Sequence, residues 1–373
     1  MKFRYLAPAL LGAVALTLSG CAEAPDAGTP TTSTAPTTTA SVPASTEPTG
    51  DFKACMVSDE GGFDDKSFNQ TSYEGVLKAE KELGVTKAQV QSANAADYTR
   101  NVQSMVDADC DIVIGVGFAL TDAVVASAKA NPDVFYALVD AAPAEPIDNL
   151  KGLVFNTNES SFLAGYLAAA TSKSGTVATF GGAKYPSVTI FMDGYAQGIK
   201  HYNEVKGADV KLIGWDIDKQ DGQFVQSTSP FTDVNAGRTT AQNQISQGAD
   251  VLFPVAGNSG TGALQAAQAS GGNVSAIWVD TDGCVSAESY CDVLQTSVYK
   301  AMDLAVFEAI KAAKDGNFSS EAYIGDLSND GTGISPFHQF DSKIDAAVKS
   351  EIDALKADII SGKITVDSPS VNK

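Results

Sequence analysis

The sequence predicts an α/β fold of two similar lobes, each built on a parallel sheet. Two observations carry this expectation. Short apolar runs alternate with helical patterns of about ten residues, the rhythm of βαβ units. One strand–helix–strand segment also recurs. Asp111–Gly117, a helix at 121–130 and Phe135–Asp140 correspond to Asp250–Ala256, a helix at 261–269 and Ala276–Asp280. Asp111 and Asp250 lie 139 residues apart, and Asp140 and Asp280 lie 140 apart, so a single-residue gap aligns the two units. Each second strand then ends in an aspartate.

The chain opens with two cations, Lys2 and Arg4, and an apolar stretch from Leu6 to Leu18. That stretch is short for a membrane span and has the flanks of a secretory signal. It ends in Leu18-Ser19-Gly20-Cys21, which resembles a bacterial lipobox. Residues 1–20 are therefore read as a signal peptide cut before Cys21, with acyl chains such as palmitate on its thiol. The alternative is an ordinary signal with a chance cysteine. Each buried methylene contributes about 0.8 kcal/mol to membrane attachment. Residues 21–50 continue as Thr, Ser, Pro and Ala with almost no large apolar side chains. Such a segment cannot bury enough surface to offset its ordering entropy, and it is read as a disordered tether.

The body runs from Asp51 to Lys373. Ala54–Val57 reads as a strand and Ser72–Leu83 as a helix. Asp111–Val116 is continuously apolar, as expected of a strand covered on both faces. A helix over Thr121–Ala130 and a strand over Val134–Val139 complete the first unit. The rhythm continues with a strand at Thr176–Phe180, a helix at Met192–Asn203 and a strand at Val210–Trp215. A helix at Ala236–Gln247, a strand at Val251–Val255, a helix at Gly260–Ala269 and a strand at Ala276–Val279 follow. Val298–Ala313 reads as a helix with Lys300 near its start, where a cation opposes the helix dipole.

The formal net charge is −20, or −22 without the two cations of the leader. That balance excludes nucleic acid and anionic lipid surfaces as natural partners. With Cys21 assigned to lipid, Cys55, Cys110, Cys284 and Cys291 remain. An exported chain permits the pairs Cys55–Cys110 and Cys284–Cys291: the first two each open a strand, and the second two flank a turn. A zinc site is the weaker alternative, since no CxxC pair exists and only His201 and His338 could assist. Asp59, Glu60, Asp64 and Asp65, like Asp280-Thr-Asp282-Gly, lack the spacing of a calcium loop and read as solvated acidic surface. Gly115-Val-Gly117 has Leu120 where a dinucleotide turn needs glycine, and no nucleophile elbow, HExxH or Walker sequence appears. No metal, cofactor or catalysis is expected. An α/β enzyme acting on a nucleotide-like substrate is the competing class.

Ligands of parallel α/β sheets bind beyond the carboxyl ends of the strands. Asp140 and Asp280 both sit at such ends. On separate lobes they would border one cleft and accept hydrogen bonds from sugar hydroxyls or ring N–H groups, with hinge closure around the guest.

The segment Gly61-Gly-Phe-Asp-Asp-Lys-Ser-Phe-Asn-Gln-Thr-Ser-Tyr-Glu-Gly75 resembles the opening signature of the basic membrane protein family, which includes purine nucleoside receptors of the PnrA type. Asn156–Tyr166, Met192–Tyr195, Pro230–Asp233, Ala256–Gly262 and Ser297–Lys300 agree in order, and the resemblance covers nearly all of residues 52–366. It implies a type I periplasmic-binding fold with three crossings between lobes. The N-terminal lobe is expected at 51–157 plus 282–327, and the C-terminal lobe at 158–281 plus 328–373. It further implies a monomeric lipoprotein on the extracytoplasmic face of the cell membrane. Such a protein delivers a purine nucleoside to the permease of an ABC importer. A sugar receptor of the same fold is the alternative. Phe68 and Phe231 resemble the aromatics that stack on the base. Asn69 and Asp140 resemble partners of the base edge, and Asp280 and Lys300 partners of the ribose. Gly257 would give close backbone approach, and Asp193 and Asp64 are further candidates.

Overall fold

Strands that are apolar on both faces need helices above and below, and the computed structural model supplies them. It describes residues 51–371, so the leader, Cys21 and the tether lie outside the described residues. The chain runs through β1 (Lys53–Ser58), α1 (Phe68–Leu83), β2 (Thr86–Gln91), α2 (Tyr98–Val106), β3 (Ile112–Val116), α3 (Thr121–Ala130), β4 (Phe135–Val139) and β5 (Leu150–Phe155). It crosses into α4 (Thr157–Thr171), β6 (Thr176–Gly181), α5 (Pro186–Lys206), β7 (Lys211–Ile213), β8 (Trp215–Asp216), β9 (Asp221–Gly222), α6 (Val234–Ser246), β10 (Val251–Val255), α7 (Thr261–Ala269) and β11 (Ser275–Asp280). The last elements are α8 (Gly283–Ser286), β12 (Leu294–Lys300), α9 (Met302–Lys314), β13 (Tyr323–Gly325), β14 (Thr332–Ile334) and α10 (Ala346–Ile360).

The first sheet has the order β13-β5-β4-β3-β1-β2, and the second β14-β12-β11-β10-β6-β7. All pairs in the first sheet are parallel, and in the second only β14 runs antiparallel. The two orders match place for place. The sequence repeat is thus a structural one, with β3–α3–β4 and β10–α7–β11 at equivalent positions. Helices α1 and α9 cover one face of the first sheet; α2 and α3 cover the other. In the second sheet α4 and α5 cover one face and α7 the other. The α/β architecture read from the sequence is therefore the observed one.

Two expectations need correction. Residues 282–327 were expected in the first lobe, yet Cys284, Ala287, Tyr290 and Val293 pack in the core of the second lobe and β12 is a strand of the second sheet, paired with β11. The chain returns to the first lobe only at Met302, where α9 packs against α1. Lys300 accordingly ends a strand instead of opening a helix. Its β-branched approach, Thr296 to Val298, suits an extended run, and the helical pattern begins two residues later than Lys300.

Cys55 and Cys110 are joined by a disulfide, as are Cys284 and Cys291. The first closes a loop of 55 residues, for which the chain-entropy relation gives about 4 kcal/mol. Among the described residues no helix is long and apolar enough to cross a membrane.

Candidate functional site

The carboxyl ends of the strands in both sheets converge on one cavity, with about 580 Å³ of space outside protein atoms, part of it open to solvent. Seven residues singled out from the sequence line it: Phe68, Asn69, Asp140, Phe231, Gly257, Asp280 and Lys300. Asp140 follows β4 and Asp280 ends β11. Both adopt left-handed backbone, with φ of 62° and 71°. Aspartate tolerates that region better than most residues, at about 1 kcal/mol. The repeated conformation turns each carboxylate off its sheet toward the other lobe.

Lys300, at the tip of β12, joins the two. Its Nζ donates to Asp140 Oδ2 at 2.5 Å and lies 3.0 Å from Asp280 Oδ1. All three side chains are buried. Burial alone would pull the ammonium down, but Asp140 and Asp280 outweigh it and hold Lys300 above the ordinary lysine value. Burial pushes Asp140 upward, Lys300 pulls it back, and the nearby Asp280 adds to the rise. One cation between two carboxylates leaves surplus negative charge, so both directions agree. The ammonium also sits 4.7 Å from the Phe68 ring centroid and 4.9 Å from that of Phe191.

The start of α1 forms the acidic wall. Asp65 caps the helix: its carboxylate accepts from the backbone N–H groups of Ser67, Asn69 and Gln70 and from Asn69 Nδ2. Anions are stabilised at this end of a helix. Asn69 Nδ2 also donates to Asp59 Oδ1 at 2.8 Å. Both amide hydrogens of Asn69 are thereby used, while its buried Oδ1 has no partner among the described residues. Burial pushes Asp59 up to about 6 against the hydrogen bonds of Asn69 and the Gly61 N–H, with Glu60 and Asp280 adding to the rise. Burial likewise raises Asp65 to about 6, against its three backbone hydrogen bonds. Gly117 lets the loop after β3 pass this wall: its φ is 108°, and a Cβ there would meet Asp59 Oδ2 at 2.5 Å.

The second lobe contributes the aromatic wall. Tyr185 and Phe231 stack with centroids 5.9 Å apart and planes 26° apart. Gly257, with φ of 51°, turns the loop after β10 beside Phe231. Phe118 reaches across from the first lobe to Tyr185, with centroids 5.6 Å apart. Further contacts bridge the lobes. Ser67 Oγ donates to Asp280 Oδ2 at 2.6 Å, and Trp278 Nε1 donates to the Lys66 carbonyl at 3.4 Å.

Two expected residues lie elsewhere. Asp193 is fully buried and accepts hydrogen bonds from Trp215 Nε1, Gln220 Nε2 and Ser368 Oγ. It ties α5 to the β8 strand and the C-terminal segment, away from the cavity. Asp64 is exposed and outside the lining. Its neighbours Asp59 and Asp65, assigned from sequence to a solvated face, are the ones that line the cavity. The glycines around them, Gly61, Gly62 and Gly117, were the signal available, since glycine often marks close backbone approach. Asp282, Cys284 and His338 gather on the second lobe. Cys284 is committed to its disulfide there, and His338 Nε2 pairs with Asp282 Oδ2 at 2.7 Å.

The cavity thus offers hydrogen-bond acceptors, one clamped ammonium and flat apolar faces. Residues 52–369 match the family described as ABC transporter substrate-binding protein PnrA-like. The CD4+ T-cell-stimulating antigen of Listeria monocytogenes is 32% identical, covering 85% of this chain and 88% of that protein. An ABC transporter nucleoside-binding protein, BmpA, of Lactococcus lactis is also 32% identical, over 85% of this chain and 90% of its own length. Among solved structures, an ABC transporter solute-binding protein of Aeropyrum pernix K1 superimposes with a TM-score of 0.76. It is 26% identical over 85% of this chain and 94% of its own.

Proposed function

The chain belongs to the PnrA-like family of ABC transporter substrate-binding proteins, and we propose that it captures a purine nucleoside between its two sheets and hands it to a membrane permease. One observation carries the nucleoside reading: one cavity joins aromatic faces to a wall of acceptors that includes the buried Asn69 Oδ1, unpartnered among the described residues. A purine presents a flat face for Phe68 and Phe231 and N–H groups for Asn69, Asp59 and Asp140. A ribose presents hydroxyls for Asp280 and the third hydrogen of Lys300. Base–aromatic stacking contributes about 1–3 kcal/mol per base. The Lactococcus relative, named as nucleoside-binding, supports the same reading.

The cross-lobe contacts describe a closed arrangement, the state a two-lobed receptor reaches around its ligand. We place the protein outside the cytoplasm, where its two disulfides are stable, with lipid on Cys21 holding it at the membrane. Incorporation of labelled palmitate, abolished in Cys21→Ala, tests the anchor. Thermal unfolding with added ligands tests the specificity. A ligand at a hundred times its Kd stabilises by about 2.7 kcal/mol. Guanosine, inosine or adenosine should raise Tm and ribose should not; a rise with ribose or a hexose alone would replace this reading with a sugar receptor.

A further inference from the structure

Two rings of the cavity lining have no task in the nucleoside reading. Phe118, from the loop after β3, and Tyr185, which precedes α5, both line the cavity. Their centroids lie 5.6 Å apart. Among the described residues they are the only aromatic pair that spans the two lobes. Tyr185 stacks in turn on Phe231, so three rings run in series into the aromatic wall. Phe118 is 38% exposed, which places it at the outer end of the series, on the cavity rim. Both partners ride on anchored backbone. The Gly117 N–H donates to the Val139 carbonyl, and Thr121 Oγ1 donates to the Phe118 carbonyl. The Tyr185 carbonyl accepts from the N–H groups of Val188 and Thr189 at the start of α5. Each ring is thus fixed to its own lobe, and the two touch only while the lobes are together.

We propose, on the basis of the nucleoside reading, that Phe118 and Tyr185 form an aromatic latch at the cavity mouth that sets how long a bound nucleoside is held. Phe118 is a positioning residue: it acts on Tyr185, and Tyr185 keeps Phe231 in place against the guest. Tilted rings at this separation attract each other beyond the area they bury. Water can replace the polar partners of Ser67, Asp280 and Trp278 when the lobes part, but it does not replace a ring face. Parting the lobes therefore requires breaking the ring contact. A ligand that meets the open lobes has not yet encountered the latch. The contact accordingly slows release and leaves association unchanged.

Stopped-flow kinetics of the full-length protein test this with 2-aminopurine riboside, a purine nucleoside whose fluorescence is quenched by stacking. Mixing with excess protein gives the association rate, and displacement by excess guanosine gives the release rate. Phe118→Ala should raise the release rate roughly threefold to tenfold and leave association within about twofold of the parent. Phe118→Tyr keeps the ring and should release within about twofold of the parent. In a Tyr185→Ala background, adding Phe118→Ala should change release by less than about twofold, because the partner is already gone. The exposed ring is trimmed without opening the core, and an unchanged far-ultraviolet spectrum checks that each variant is folded. An unchanged release rate in Phe118→Ala would overturn the latch, as would an effect carried by association alone. The full Phe118→Ala effect persisting in the Tyr185→Ala background would make Phe118 a direct ligand contact and also overturn it. If neither the probe nor guanosine binds the parent, the nucleoside reading itself falls, and this inference with it.

Discussion

Replacing Lys300 with methionine keeps most of the aliphatic stem and removes the charge that joins the two lobes. The ammonium lies 2.5 Å from Asp140 and 3.0 Å from Asp280. At an effective dielectric of about 20 each contact contributes roughly 6 kcal/mol of attraction. Against that stands the desolvation of a buried ammonium, several kcal/mol. Removing one partner also leaves two buried carboxylates facing each other, and the net loss for breaking such a cluster is about 3–5 kcal/mol. Lys300→Met should therefore lower unfolding stability by about 4 kcal/mol at pH 7, read from urea unfolding followed by the fluorescence of Trp215 and Trp278. The double variant Lys300→Met/Asp140→Asn should recover at least half of the loss. Its remaining carboxylate, Asp280, keeps the hydrogen bond from Ser67. The reasoning is refuted if Lys300→Met costs less than about 1 kcal/mol, or if the double variant is no more stable than the single one.

Two other outcomes follow from the same cavity. Phe68→Ala should weaken nucleoside binding by roughly tenfold to a hundredfold, the range of one lost base stack, while a half-buried ring at a helix start leaves the far-ultraviolet spectrum unchanged; normal affinity would remove Phe68 from the site. Asp59 is raised to about 6 by burial, against Asn69 and Gly61 and with Glu60 and Asp280 adding to the rise. A folded-state acid pKa above its unfolded value means that the native state binds more protons between about pH 4 and 6, so this group's contribution to stability falls as pH rises through that window. Asp59→Asn should accordingly gain stability relative to the parent between pH 4 and pH 7, and a pH-independent difference between the two would contradict the burial of that charge.

Much of the fold was legible because both sheets are covered on two faces. Continuous apolar runs such as Ile112–Val116 and Val251–Val255 can hardly be anything but buried strands, and the repeat at 139–140 residues exposed the duplicated lobe. Lys300 was misread for a local reason. Val298 and Tyr299 fit either a strand end or a helix start, and only pairing with β11 decides between them. Asp193 stands in a Met-Asp-Gly-Tyr motif that draws attention, but α5 begins at Pro186, and that phase turns the carboxylate toward Trp215. Asp59 and Asp65 looked like solvated charge because sequence alone does not show the N–H groups that make a buried carboxylate tolerable. Those donors come from the turn at 61 and the first turn of α1, and they exist only once the chain is folded.

Matching sheet orders also explain why the cavity is chemically lopsided. Strands β1 and β6 hold the same place in their sheets. The first is followed by Asp59, while the second is followed by Gly182, where a Cβ would meet the Phe231 ring at 2.3 Å. One copy of the tip therefore presents a carboxylate and the other makes room for an aromatic face. Strands β5 and β12 are likewise equivalent, but β5 ends at Phe155 and β12 at Lys300. Duplication alone would bring two like-charged tips, Asp140 and Asp280, against each other. A single lysine on one copy converts that repulsion into a clamp, and the clamp forms only when the lobes meet. Lys300 thus offsets part of the repulsion between Asp140 and Asp280 where the two lobes meet, and the oxygens it leaves without a bonded donor remain open to the donors of a guest.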